Sequence, residues 1–119
     1  MKSINLIGVF VIAMLLSGCI QQTQTETPVK TNAVEIKDFE YNPVTITVSK
    51  GMTVTWTQLD IAPHTVTSVP IKDETNQQKV LNSTLLSKGQ TYSYIFNETG
   101  TFEYYCAIHP SMKGKVIVT

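Results

Sequence analysis

The sequence predicts an all-β protein, a Greek-key β-sandwich or barrel of about seven or eight strands. Three observations carry that expectation. From Ala33 to Thr119, apolar and polar residues alternate almost everywhere with the period of a half-buried strand. Gly, Pro and Asn turns interrupt the alternation at intervals of about ten residues. No stretch of this region sustains a helical period, and Thr, Val and Ile are abundant there while Ala and Leu are sparse.

The elements follow in order. "AVEIKDFEY" turns Val34 and Ile36 inward, with Phe39 as a further inward candidate. "NPVTITVSKG" puts Val44, Ile46 and Val48 on one face and ends at a Lys50-Gly51 turn. "MTVTWTQLD" sets Met52, Val54 and Trp56 against threonines, with Trp56 as core and Asp60 as turn chemistry. "PIKDETNQQK", from Pro70 to Lys79, is polar and reads as an irregular crossing with room for a helical turn. "KGQTYSYIFNETG" lines up Tyr92, Tyr94 and Phe96 between glycine turns. "TFEYYCAIH" offers Phe102 and Tyr104, and "GKVIVT" closes the chain with Val116 and Val118.

The N-terminus is different material. Lys2 precedes an apolar run from Ile4 to Leu16 that ends in "LSGC". The run is shorter than the roughly 20 residues a helix needs to cross a bilayer. A positive start, a short apolar stretch and small residues before a cut site make a secretory signal. The cut site resembles the bacterial lipobox, which implies cleavage after Gly18 and a lipid on Cys19; an uncleaved anchor is the alternative. "QQTQTETPVKTN" then reads as a flexible tether spanning about 20 Å. The expected organisation is a signal peptide over 1–18, lipidated Cys19 and tether over 19–32, and one domain over 33–119. The domain then lies outside the cytoplasm, on the membrane through its lipid, facing the periplasm or the cell exterior.

Composition narrows the function. Nine lysines balance nine acidic residues and there is no arginine. This excludes a nucleic-acid partner and argues against bidentate phosphate or carboxylate clamps. Of two cysteines, Cys19 is taken by the terminus, which leaves Cys106 as a lone thiol in an exported domain. It stands in "YCAIHPSMK", with His109 and Met112 at three-residue steps on the following loop. One short loop cannot surround an ion, and the only other histidine, His64 in "DIAPHTVTS", also follows a strand. Singly, a surface histidine, a buried thiol and a core methionine are ordinary. Placed together at one pole of a sandwich, they make a metal site. A thiolate, two imidazoles and a thioether suit copper that changes oxidation state. Zinc would accept the first three but favours a harder fourth ligand.

The chain resembles the cupredoxins, the small blue copper proteins, and is most similar to the amicyanin and plastocyanin-like group. The resemblance rests on "YNPVTITVSKGMTVTW", "PHTV", "GTFEYYC", "MKGKVIV" and the C-x2-H-x2-M spacing of Cys106, His109 and Met112, and it spans Ile36 to Val118. It implies one type 1 copper held by His64, Cys106, His109 and Met112, and one-electron transfer without enzymatic turnover. Redox protein partners would dock briefly near His109, and the protein would act as a monomer. A copper storage, delivery or sensing protein is the alternative reading. Two positions depart from the family's pattern. Thr65 stands where Asn is usual, and Ala107 where Ser or Thr is usual, so the side-chain bridge between the two ligand loops cannot form in the usual way.

Overall fold

The computed structural model describes residues 27–68 and 80–119, and the whole of the described chain is built on strands. In order they are β1 (Val29–Lys30), β2 (Ala33–Lys37), β3 (Glu40–Asn42), β4 (Thr45–Val48), β5 (Thr53–Gln58), β6 (Thr67–Ser68), β7 (Thr91–Ile95), β8 (Gly100–Cys106) and β9 (His109–Val118). They form a five-stranded sheet, β1-β4-β9-β8-β6, and a four-stranded sheet, β3-β2-β5-β7. Both sheets mix directions: β4 runs parallel to β1 and β9, and β2 runs parallel to β5. This is the expected Greek-key sandwich, with nine strands among the described residues against the seven or eight that the alternation suggests. One of these, β1, lies inside the segment read as tether and pairs with β4 through Val29 and Ile46. The signal segment and the crossing from Pro70 to Lys79 fall outside the described residues.

The alternation translates directly into the core. Val34 and Ile36, Ile46 and Val48, Val54 and Trp56, Val116 and Val118 are all buried, and their polar neighbours face out. Trp56 stacks near Tyr92 and Tyr104, so it is packing material as read from the sequence. Tyr104 is buried while Tyr105 is half-exposed. Leu81 and Leu86 complete the core from the segment before β7.

Two local expectations change. Phe39 is not a core residue: it is 52% exposed, and Tyr41 takes the inward place. The reason is a two-residue hairpin turn between β2 and β3, with Asp38 at φ 53° and Phe39 at φ 57°. Such a turn resets the strand alternation, and it normally uses Asn-Gly because positive φ is unfavourable for a residue with a large side chain. The second change is at β9. It begins at His109 rather than near Gly114, so His109 and Met112 belong to a strand and not to an open loop.

The candidate metal centre

β8 and β9 are joined by Ala107 and Ile108 alone, which sets Cys106 directly across the ladder from His109. The C-x2-H spacing is therefore the arithmetic of a two-residue hairpin connection. A register shift between Tyr105 and Cys106 re-aims the thiol at the end of β8. Met112 follows on β9 with the same inward parity as Val116 and is buried.

His64 arrives by a different route. β6 pairs antiparallel with β8, with Thr67 opposite Tyr105. Stepping back along the chain from Thr67 therefore moves past the end of β8, and brings Thr65 and His64 to Cys106. His64 is fully buried and its backbone exchanges two hydrogen bonds with Leu86, at 3.1 and 2.8 Å. The result is a close trio. Cys106 Sγ lies 3.7 Å from His64 Nδ1 and 3.6 Å from His109 Nδ1, and the two nitrogens are 3.2 Å apart. Those are the separations three donors keep when each bonds one ion at about 2.0–2.3 Å.

The tautomer of His64 follows from its other nitrogen. Its Nε2–H donates to Asp60 Oδ2 at 2.8 Å, leaving Nδ1 bare toward the sulfur. Asp60 also accepts the backbone N–H groups of Asp38 (2.7 Å) and Phe39 (2.9 Å). Burial opposes ionisation of this carboxyl, but the Phe39 and Asp38 amides and the His64 ring outweigh it and hold its pKa below the ordinary value. A lowered folded-state pKa gives stability that is present above the unfolded carboxylate range and lost as pH falls through the lowered value. Asp60→Asn should therefore weaken the metal-free protein near pH ~7, with the difference from wild type closing in strong acid. Unfolding midpoints across that range check this.

Gln58 holds Asp60 in turn. It is fully buried; its Nε2 donates to the carbonyls of Asp60, Ala62 and Leu86, and its Oε1 accepts the Asp60 N–H at 2.6 Å. Nothing in the local sequence around Gln58 marks it as part of the site except that, though polar, it shares the inward parity of Val54 and Trp56. Asp60 was read as turn chemistry; it is that, and it also orients a ligand.

Thr65 answers the two departures noted in the sequence. Its N–H donates to Cys106 Sγ at 3.3 Å, and its Oγ1 accepts the Ala107 N–H at 2.8 Å. Ala107 needs no hydroxyl, because the bridge between the loops runs from its backbone to the Thr65 side chain. Thr67 Oγ1 meets Thr65 Oγ1 at 2.9 Å, and Tyr41 Oη donates to the Thr65 carbonyl at 2.6 Å. Burial, with the Cys106 and Tyr104 groups nearby, pushes the Tyr41 hydroxyl far above its ordinary pKa, so it stays a donor. Thr65→Val removes the acceptor for Ala107 and should cost about 1 kcal/mol. Thermal unfolding of the metal-free variant should show a drop of roughly 4–8 °C.

A sandwich that brings a thiol and two imidazoles together at one pole, with a buried thioether three residues further along β9, is built for a redox-active copper ion. Comparison with known proteins agrees. Residues 28–119 match the family of copper binding proteins described as plastocyanin/azurin. Amicyanin-alpha of Methylorubrum extorquens is 35% identical over 106 residues, covering 89% of this chain and 86% of the relative. Among solved structures, amicyanin from Paracoccus versutus aligns with a TM-score of 0.66 at 32% identity, over 79% of this chain and 86% of that one. A purple cupredoxin from Nitrosopumilus maritimus aligns with a TM-score of 0.65 at 30% identity, over 75% of this chain and all of the other. The chain belongs to the plastocyanin/azurin family of copper-binding proteins. Its cofactor is copper, and the family's business is electron carriage and not catalysis.

Proposed function

We propose that this protein carries single electrons between redox partners outside the cytoplasm, tethered to the membrane by a lipid on Cys19. The observation that carries the reading is the Cys106, His64 and His109 trio, with all three donor atoms within 4.8 Å of one another. Copper, when bound, supplies the one-electron couple. The chain's own residues do the rest. His64, Cys106 and His109 would hold the ion, and the Met112 thioether would add a fourth, weaker donor. The Thr65 N–H stabilises negative charge on the sulfur. Because the donors are fixed by two sheets, a buried loop ladder and the Gln58–Asp60 network, their geometry need change little when the charge does.

His109 is the electron port. It is the half-buried member of the trio, and its neighbours are apolar: Ile108 before it is half exposed, and the Phe39 ring lies 5.1 Å from its own. An apolar rim of this size suits brief docking by a monomer. Of the two lysines nearby, Lys115 reaches Glu103 at 3.8 Å, so Lys113 is the one left to meet an acidic partner.

The test is a visible spectrum. One equivalent of Cu(II) added to the reduced protein should give an intense colour that ascorbate bleaches and reoxidation restores. A colourless product would sink the carrier reading. Copper that exchanges freely with chelators, with slow electron self-exchange, would replace it with storage or delivery. For the anchor, Cys19→Ser should move the protein from the membrane fraction to the soluble one.

A further inference from the structure

The least expected residue at this pole is Phe39. A bulky aromatic takes positive φ in a tight turn, where Asn or Gly is the ordinary choice, and leaves its ring half in solvent. The ring is not idle. Its centroid lies 5.1 Å from the His64 ring at 88° and 5.1 Å from the His109 ring at 83°, edge-to-face with both. The two imidazoles are themselves 5.0 Å apart, so the three rings form one cluster.

What holds Phe39 there is the carboxylate that also holds His64. Asp60 accepts the Asp38 N–H on Oδ1, and shares Oδ2 between the Phe39 N–H and His64 Nε2. The turn conformation and the His64 tautomer are thus secured by one side chain, itself fixed by Gln58. His109 has no such anchor of its own. Among the described residues its ring hydrogen-bonds only through Nδ1, toward the other two donors.

Building on the metal-centre reading, we propose that the β2–β3 turn is a clamp on the site: Asp60 pins the turn to His64, and Phe39, so pinned, restrains the His109 ring. Phe39 and Asp60 are positioning residues. They keep the donors arranged before an ion arrives and slow the step in which His109 swings off a bound ion.

The clamp makes stability and metal retention move in opposite directions. Phe39→Asn relieves the unfavourable φ, since Asn tolerates that region, but removes the ring. In full-length protein in detergent, the metal-free midpoint of Phe39→Asn should equal or exceed that of wild type. Its release of Zn(II) to a chromophoric chelator should be about tenfold faster, the scale at which groups behind metal ligands act. Phe39→Trp should restore slow release. In metal-free protein, side-chain NMR relaxation should show the His109 ring ordered in wild type and Phe39→Trp, and mobile in Phe39→Asn. An equally ordered His109 ring in Phe39→Asn, or unchanged Zn(II) release, overturns the clamp. Failure of wild type to bind Zn(II) or Cu(II) counts against the metal centre instead, and the metal-free ring relaxation still decides the clamp.

Discussion

Cys106→Ser should abolish the coloured copper state and weaken copper binding by well over a hundredfold. Cys106 is the only soft, anionic donor among the three groups that would hold the ion, and it is fully buried beside the two imidazoles. A serine hydroxyl is a hard donor that stays protonated at neutral pH, so it offers the ion no charge and no strong covalent bond. The shorter side chain also draws the donor atom back from His64 Nδ1 and His109 Nδ1. The consequence extends to stability. An ion that binds only the folded chain adds RT ln(1 + [L]/Kd), about 2.7 kcal/mol when copper is at a hundred times Kd. For a domain of this size that is roughly 10–20 °C in unfolding midpoint. Wild type should gain a shift of that order on adding copper, and Cys106→Ser should gain almost none. Calorimetric scans with and without copper check both statements. A variant that still bound copper tightly would place the strong donor elsewhere.

Gly114→Ala should be the most damaging small change in the β8–β9 hairpin. Gly114 faces Tyr104 across the ladder, and the Tyr104 ring lies directly over it. A Cβ on Gly114 would stand 2.8 Å from Tyr104 Cε2 and closer still to Cζ and Oη. The ring cannot swing away cheaply. It is buried, and it packs edge-on against Trp56 at 5.5 Å and Tyr41 at 4.6 Å. Overpacking of this kind costs about 1–3 kcal/mol, and this rigid aromatic stack places Gly114→Ala at the upper end. A denaturant midpoint should fall accordingly with the slope unchanged. The effect should also reach the metal, because Tyr41 carries the strain to its hydrogen bond with the Thr65 carbonyl. Tyr104→Phe alone should not rescue the variant, since the ring carbons collide as well as the hydroxyl. Tyr104→Leu, which removes the ring, should recover part of the loss.

The sandwich and the pairing of Cys106 with His109 were readable from residues in order, because both depend on local regularities. Alternation writes which side chains face inward; β2, β4 and β5 obey it from end to end, and β9 obeys it from Met112 onward. Cys106 and His109 are three residues apart, and a two-residue connection makes them cross-strand neighbours whatever the rest of the chain does. His64 could be added by count, as the one remaining histidine. Thr65 and Ala107 could be flagged as departures, yet their compensation could not be foreseen. It depends on β6 pairing with β8 in the one register that puts Thr65 Oγ1 beside the Ala107 amide.

Phe39 shows where linear reading fails. Its hydrophobicity suggests the core, but a tight turn takes two residues out of the alternation and places its ring over two histidines distant in sequence. Gln58 and Asp60 are polar residues in ordinary-looking positions, and their partners lie up to 28 residues away. By itself, then, the order of amino acids determined the strands, the facing of their side chains and the chemistry of the donors. Only the tertiary structure decided how those donors are oriented and held. Hydrogen-bond geometry between loops depends on sheet register and turn conformation, and no local pattern of residues encodes the distance between segments the chain brings together only when folded.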